Sequence, residues 1–361
     1  MKLKEIDLYI TEKCNLKCRF CSIKAGPASK RELDFDTVEK FVSYCKGCGV
    51  TDIHITGGEP TLHKNYKEII ELIIKNGIDT RLITNGLLLT ESDLSQLKEI
   101  GLKNIMFSLD GLNDFHSFVR GKGTFERTLT TVKAAIEKDF NVRVNTVAWN
   151  ENLSDIPKLL EELDQAGVKI YSVFLGSPVG RGKELNHLSV VSADKWDLFL
   201  SELKEYYLDR KLSVQVVVEQ GFVKQSKKDH DYNDVRSCAS ILDNTDYLTI
   251  RADGNVFPCV FFSNDFQSIG NIYDLDQLDL KGNLSNSEFY QNVSKLPKDC
   301  TECSERTYCK GGCRGFNYLP LEITKDERCN GDEYIPICPI IKLDLLNEKI
   351  APCTDDLSKF D

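Results

Sequence analysis

Several features of common protein classes are missing from this chain. No apolar run approaches the roughly 20 residues that a helix needs to span a bilayer. The first ten residues, MKLKEIDLYI, do not have the layout of a secretory signal peptide. Positive charge is not in excess either, since 56 acidic residues outnumber 46 basic ones and the formal net charge is −10. We therefore expect a cytoplasmic protein, with neither nucleic acid nor a membrane surface as a partner.

Cysteine, in contrast, is abundant, with 14 among the 361 residues. A cytoplasmic compartment keeps thiols reduced, so metal ligation explains most of these cysteines better than disulfides do. The chain is also longer than the ~250 to 300 residues at which single cores usually stop growing. Two units are therefore expected, and metal binding is the first function to consider.

Short apolar runs alternate with amphipathic stretches from residue 6 to about 210, which is typical of repeated strand-helix units around a parallel sheet. The pattern predicts strands at 6–11, 52–57, 79–84, 104–109, 141–148 and 169–175. It predicts helices at 35–47, 64–76, 91–100, 124–138, 153–166 and 192–209. The expected fold class is α/β, a partial (β/α)6 TIM-like barrel at 1–210, followed by a linker at 211–237 and a small cysteine-rich domain with little regular structure at 238–361.

Three cysteines follow the first predicted strand, in the loop Cys14-Asn-Leu-Lys-Cys18-Arg-Phe20-Cys21. Thiols at this spacing can turn inward from one loop, ligate three irons of a 4Fe-4S cube and leave the fourth iron bare. The alternative is a structural zinc loop, but zinc sites usually need a fourth Cys or His ligand, and none is close in sequence.

This spacing, with Phe20 just before the last cysteine, resembles the signature loop of the radical S-adenosylmethionine (radical SAM) enzymes. The resemblance implies that the bare iron binds the amino and carboxylate groups of S-adenosylmethionine. It further implies that one electron from the cluster splits the sulfonium to give methionine and a 5′-deoxyadenosyl radical. Such a radical abstracts a hydrogen atom from a substrate.

A second motif, Gly57-Gly58-Glu59-Pro60, follows the second predicted strand. Sites in such barrels lie at the carboxyl ends of the strands. Glycines let the backbone approach a ligand closely, and carboxylate or carbonyl oxygens accept hydrogen bonds from an ammonium group. Alone the tetrapeptide could be a plain turn. Next to the cysteine loop it resembles the Gly-Gly-Glu-Pro motif, which in that family binds the amino group of the methionine portion.

Five further residues are candidate cofactor contacts by the same resemblance. Ser108 and Asp110 look like positions near the ribose and carboxylate, although either could simply cap the next helix. Arg120, in a segment resembling a loop of the peptide-modifying subgroup, could hold a carboxylate in a fork or be a solvated surface arginine. Asn145 and Leu175 are candidates for ribose and adenine contacts.

One cysteine pair, Cys45-Lys-Gly-Cys48, is set apart from these motifs. It lies at the end of the first predicted helix, away from the strand ends where sites are built. We expect packing or incidental thiols here, not a redox or metal pair.

From residue 238 onward the chain holds all nine remaining cysteines: Cys238, Cys259, Cys300, Cys303, Cys309, Cys313, Cys329, Cys338 and Cys353. This pattern resembles the seven-cysteine SPASM domain, which carries auxiliary iron-sulfur clusters in radical SAM enzymes that mature peptides and proteins. The resemblance implies that Cys238, Cys259 and Cys313 hold auxiliary cluster I. It gives cluster II to Cys300, Cys303 and Cys309, completed by Cys329 or Cys338. A zinc ribbon is the alternative for this unit.

Two positions depart from the sulfatase-maturing branch of that family. Asn244 lies where a further cysteine is expected, and Val260 takes the place of an aspartate. Sulfatase maturation is therefore not expected. With three ligands, auxiliary cluster I either keeps an open iron or is closed by Cys338 or Cys353.

The expected function is a radical SAM oxidoreductase that modifies a ribosomally made peptide by a thioether or carbon-carbon crosslink, or by side-chain oxidation. Its cofactors would be S-adenosylmethionine and three 4Fe-4S clusters. The expected partners are a precursor peptide and an electron donor such as flavodoxin or ferredoxin. Because the first strand begins at residue 6, recognition of the peptide is expected inside the barrel mouth, in the cysteine-rich unit or on a separate leader-recognition protein. The alternatives are the same chemistry on a haem precursor, sugar or cofactor intermediate, and a non-catalytic zinc-binding protein.

Overall fold

The computed structural model describes residues 3–177, 179–184, 190–219, 247–262, 267–295 and 301–302. Seven parallel strands follow one another in chain order: β1 (Glu5–Thr11), β2 (Asp52–Gly57), β3 (Asp79–Thr84), β4 (Asn104–Ser108), β5 (Asn141–Ala148), β6 (Ile170–Leu175) and β7 (Gln215–Glu219). Seven helices connect them: α1 (Phe35–Cys48), α2 (Tyr66–Lys75), α3 (Glu91–Glu99), α4 (Asn113–Arg120), α5 (Thr124–Glu137), α6 (Ile156–Gln165) and α7 (Ala193–Arg210).

The second unit extends this sheet. Its described elements are β8 (Tyr247–Ile250), β9 (Asn255–Phe257), β10 (Gly270–Asn271), α8 (Leu280–Asn286) and α9 (Glu288–Val293). The order is β10-β9-β8-β1-β2-β3-β4-β5-β6-β7, with β8 parallel to β1 and antiparallel to β9. The edge strands β7 and β10 do not meet, so the described sheet is open. The predicted α/β fold with a partial barrel is confirmed.

Local sequence signals fix the ends of the helices. Helix α1 begins after Asp34, whose side chain accepts a hydrogen bond from the Thr37 amide at 2.9 Å, and ends at Gly49, which has a left-handed φ of 77°. Helix α3 begins with a capping box, in which Thr90 and Asp93 each accept a hydrogen bond from the other's backbone amide. These caps fix where α1 begins and ends and where α3 begins.

Alternate residues of the strands face opposite ways. On β1, the fully buried Ile6, Leu8 and Ile10 belong to the main hydrophobic cluster, whereas Tyr9 lines an inner cavity. Cys45 is fully buried in the same hydrophobic cluster and Cys48 is exposed, so packing is confirmed as the role of Cys45. Across the described residues, every helix falls short of the length and apolar character that crossing a membrane requires.

Three features differ from the sequence prediction or add to it. The segment around Arg120, expected as a loop, is helix α4. Strand β7 lies within the predicted linker and pairs with β6, and β8 joins the sheet beside β1. Strand β7 escaped prediction because it is a partly exposed five-residue edge strand, and β8 because its partner is more than 200 residues away. The predicted domain boundaries stay a prediction.

Candidate active site

One cavity of about 310 Å³ opens where the carboxyl ends of the parallel strands meet. The predicted site residues in its wall are Cys14, Phe20, Cys18, Cys21, Gly57, Gly58, Ser108, Arg120 and Leu175. The loops after six consecutive strands therefore meet at a single space. Four predicted contacts, Glu59, Pro60, Asp110 and Asn145, are outside its wall.

The cysteine loop is fixed from two sides. The Arg19 amide donates to the Val119 carbonyl of α4 at 2.9 Å, and the Arg19 Nε donates to the Phe118 carbonyl at 2.8 Å. From the opposite side, Arg181 Nε donates to the Cys18 carbonyl and Nη1 to the Ala25 carbonyl, both at 2.7 Å. These backbone contacts hold the three thiols toward the cavity.

Two of the three thiols, those of Cys14 and Cys18, are in a poorly solvated setting. Burial raises the pKa of Cys14 to about 12, and the neighbouring thiol of Cys18 adds to this effect. Burial also raises the pKa of Cys18, while the Arg120 and Arg181 guanidinium groups oppose the shift. Thiolates are therefore disfavoured without a bound cation, and iron ligation at these sulfurs would supply the missing positive charge.

The three cysteines have the chemistry of iron-sulfur ligands. A 4Fe-4S cube binds one thiolate at each iron, so three cysteines of one loop leave one iron for another ligand. Three cysteines around an open cavity, with an arginine in the wall, therefore fit a cluster and an anionic ligand group.

The Gly-Gly motif packs directly on the cysteine loop. The Gly58 amide donates to the Thr11 carbonyl at 2.7 Å, and the Glu59 amide donates to the Lys13 carbonyl at 2.8 Å. A Cβ atom at Gly58 would overlap the backbone oxygens of Glu12 and Lys13. The glycine is thus required for the contact between the two loops, a role that the sequence did not reveal.

Glu59 connects the loop after β2 to the end of β3 through hydrogen bonds. Its carboxylate is fully buried and accepts from the Asn85 amide at 2.8 Å and from the hydroxyls of Thr61 and Thr84, each at 2.7 Å. Burial raises its pKa, and these donors oppose the shift. Pro60 is buried and begins a short 3-10 helix, Pro60–Leu62. A direct contact of either residue with a cofactor stays a prediction.

Asp110 and Arg120 form a buried ion pair. The Asp110 carboxylate accepts from Arg120 Nε and from the Val147 amide at 2.9 Å. The Arg120 guanidinium carbon lies 5.6 Å from the centre of the Phe20 ring. Arg120 is therefore not a solvated surface arginine, and Asp110 does not cap the next helix; it positions Arg120 at the cavity wall.

His116 supports this pair. Its Nδ1 accepts from the Asp110 amide at 3.1 Å, so its other ring nitrogen carries the proton. Burial, followed by the nearby Arg120 charge, lowers the pKa of His116 to about 4. The ring is neutral at physiological pH and acts as a hydrogen-bond acceptor.

The remaining predicted contacts lie on adjacent strands. Ser108 on β4 is paired in register with Asn145 on β5. The Asn145 amide nitrogen contacts the Met106 sulfur at 2.5 Å, and its buried oxygen has no hydrogen-bond partner in the described part of the chain. Leu175 ends β6 and contributes an apolar wall. Their cofactor roles stay predictions.

Sequence reasoning missed several wall residues. Trp149 follows β5 and lies 6.0 Å from the Phe20 ring, centre to centre. Arg181 is in the Gly-Arg-Gly segment after β6 and also lines the cavity. From the second unit, Val260 and Phe261 also reach the cavity, so the half-buried Cys259 is next to it. The other predicted auxiliary positions lie outside the described residues: Cys238, Asn244, Cys300, Cys303, Cys309, Cys313, Cys329, Cys338 and Cys353.

Among curated proteins, the chain resembles the AdoMet-dependent heme synthase of Methanosarcina barkeri, with 28% identity over 86% of this chain and 90% of that protein. It also resembles the antilisterial bacteriocin subtilosin biosynthesis protein AlbA of Bacillus subtilis, with 26% identity over 85% of this chain and 67% of that protein.

A solved structure shares the fold. Streptococcus suis SuiB bound to its precursor peptide SuiA matches with a TM-score of 0.73, 20% identity, and coverage of 94% of this chain and 76% of that one. SuiB bound to S-adenosylmethionine matches with a TM-score of 0.72.

Two family models match the chain itself. Residues 8–163 match the radical SAM superfamily, and residues 238–310 match the iron-sulfur cluster-binding SPASM domain. The first range contains the cysteine loop and the Gly-Gly motif, and the second begins at Cys238. The non-catalytic zinc protein is therefore set aside. The chain therefore carries a radical SAM domain and a SPASM domain, and it is a radical SAM enzyme that uses S-adenosylmethionine and iron-sulfur clusters.

Proposed function

We propose that this enzyme modifies a ribosomally made peptide, by a thioether or carbon-carbon crosslink or by oxidation of a side chain. The observation that carries the proposal is the shared cavity, whose wall combines the cysteine loop, Arg120 and, from the second unit, Val260 and Phe261. A substrate in this space would touch both units. The peptide-bound SuiB structure and the bacteriocin pathway named for AlbA support a peptide as that substrate.

When bound, a 4Fe-4S cluster held by Cys14, Cys18 and Cys21, together with S-adenosylmethionine, would supply the radical chemistry, which is the cofactors' own. The chain's own residues supply binding and exclusion of water. Arg120, held by Asp110, would pair with the carboxylate of the methionine portion. Backbone carbonyls near Gly57 and Gly58 would accept from its amino group. Phe20, Trp149 and Leu175 form apolar walls that limit side reactions with solvent.

Further partners and cofactors belong to the same proposal. Cys14, Cys18 and Cys21 would ligate the first cluster, and the cysteines from Cys238 onward would ligate two auxiliary clusters. A flavodoxin or ferredoxin would deliver the electron in the cytoplasm, and a separate protein could present the leader of the precursor peptide. Each assignment is open to test by iron counting or pull-down.

A small-molecule substrate is the second candidate. The heme synthase relative matches along 90% of its own length, which favours a tetrapyrrole precursor among small molecules. Such a substrate would carry carboxylates and a large apolar ring, and it would use the same cavity wall.

One experiment separates the two candidates. The anaerobically reconstituted enzyme is incubated with dithionite, S-adenosylmethionine and either peptides encoded beside its gene or a haem precursor, and products are analysed by mass spectrometry. The proposal predicts a peptide that has lost two hydrogen atoms and a Cys18→Ala control that leaves it unchanged. Conversion of the tetrapyrrole with all peptides unchanged would contradict the proposal.

A further inference from the structure

Arg251, at the end of β8, is a buried cation with unused donors. Its side chain is only 6% exposed. Nη2 donates to the Val260 carbonyl at 3.1 Å, and the guanidinium carbon lies 4.5 Å from the centre of the Tyr9 ring. Nε and Nη1 have no acceptor within the described ranges. Because unpaired buried N–H groups are costly, especially on a charged side chain, an acceptor is expected beside them.

The position of Arg251 indicates where that acceptor lies. Tyr9 and Val260 line the active-site cavity, whereas Arg251 contacts both of them without being part of the cavity wall. A substrate in the cavity is therefore separated from the unused donors. Arg251 already donates a hydrogen bond to the carbonyl of Val260. Val260 directly follows Cys259, which is a predicted ligand of auxiliary cluster I.

The electrostatics of Tyr9 agree with this position. Burial raises the pKa of Tyr9 to about 12, and Arg251 opposes the shift. Negative charge on Cys21, in the first cysteine loop, and on Cys259 would each raise it further. The Tyr9 hydroxyl thus lies within electrostatic range of Cys21, Cys259 and the Arg251 guanidinium that stacks on its ring.

We propose that Arg251 donates N–H bonds to the auxiliary cluster ligated by Cys259 and raises the reduction potential of that cluster. Reduction adds one electron, and hence one negative charge, to the cluster. A neighbouring cation with N–H donors aimed at the sulfurs stabilises this reduced state. Arginine supplies both the charge and the donors, and it stays protonated at any pH that the protein tolerates. The inference rests on the ligand assignment of Cys259 within the proposed function.

The test measures potentials in the full chain. A Cys14→Ala/Cys18→Ala/Cys21→Ala background removes the first cluster, so that a redox titration followed by EPR reports only the auxiliary clusters. In this background Arg251→Gln should lower the potential of one cluster by at least 59 mV, which corresponds to a tenfold change in a one-electron equilibrium constant. Arg251→Lys, which keeps the charge but loses the forked donors, should give a smaller decrease.

Arg31→Gln is the matched control. Arg31 is exposed and its Nη1 lies 3.4 Å from the carboxylate of Asp253, which is in the turn between β8 and β9. Replacing Arg31 therefore removes the same charge from a solvated site. Its effect on the equilibrium constant should stay below twofold, because solvent screens exposed charges.

Two outcomes would overturn the inference. One-electron equilibrium constants of Arg251→Gln and Arg251→Lys within twofold of the parent value, which is a shift of less than about 18 mV, would show at full iron content that the guanidinium does not act on a cluster. A Cys259→Ala variant that keeps all of its iron would remove the ligand assignment on which the inference rests. Peptide modification by the wild-type enzyme is scored separately, so either outcome is distinguishable from failure of the proposed function.

Discussion

Gly58→Ala tests the contact between the Gly-Gly motif and the cysteine loop. The added methyl group would overlap the carbonyl oxygens of Glu12 and Lys13, so the loops must separate. Two hydrogen bonds would be lost, Gly58 to Thr11 at 2.7 Å and Glu59 to Lys13 at 2.8 Å. At about 1 kcal/mol each, the loss is about 2 kcal/mol, or roughly thirtyfold in the dissociation constant of S-adenosylmethionine.

The assay is an anaerobic titration of S-adenosylmethionine into the reduced, reconstituted protein, followed by the EPR signal of the first cluster. Gly26→Ala is the matched control: it lies in the same loop region, the position has no atom within 4 Å of an added Cβ, and its φ is not left-handed. Its affinity should stay within about twofold. Wild-type affinity and full iron content in Gly58→Ala would refute the coupling of the two loops.

Three other changes probe the supports of the site. Asp110→Asn leaves the buried Arg120 without its carboxylate and should lower the free energy of unfolding by about 3 to 5 kcal/mol. Its thermal midpoint should lie below that of the control Asp114→Asn, which changes an exposed residue of α4. Equal midpoints would contradict the ion pair. His116 has a pKa of about 4, below its ordinary 6.5. Between pH 6.5 and 4 the unfolded chain therefore binds a proton that the folded chain does not. The free energy of unfolding should fall as the pH drops through this range, by ~3 kcal/mol at most. His116→Asn should flatten that dependence, and an unchanged pH profile would argue against it. Arg181→Gln loses both hydrogen bonds to the cysteine loop and should lower the amount of iron that the protein retains, and Arg181→Lys should restore part of it. Wild-type iron content in Arg181→Gln would show that these hydrogen bonds do not stabilise the loop.

Much of the barrel could be predicted because its signals are local. The ends of the six predicted strands lie within one residue of those of β1 to β6, since apolar periodicity and intervening amphipathic helices determine them. The cysteine loop and Gly57-Gly58 were expected to meet, because the carboxyl ends of neighbouring parallel strands share one edge. The structure places them in one cavity wall.

What escaped prediction depends on contacts that are distant in sequence. Motif position cannot show whether a loop carboxylate turns toward a ligand or toward the protein, and both Glu59 and Asp110 turn toward the protein. The contacts of Arg181 with Cys18 and of Arg251 with the Tyr9 ring each join residues more than 160 positions apart. No periodicity encodes such pairs.

The most direct measurement is the release of 5′-deoxyadenosine from S-adenosylmethionine by the anaerobically reconstituted, dithionite-reduced enzyme. If Cys14, Cys18 and Cys21 ligate a cluster with one open iron, the wild-type protein should release it well above background and Cys18→Ala should not. Background release by a wild-type sample with full iron, or equal release by the two proteins, would contradict the assignment of this loop as the site of radical formation.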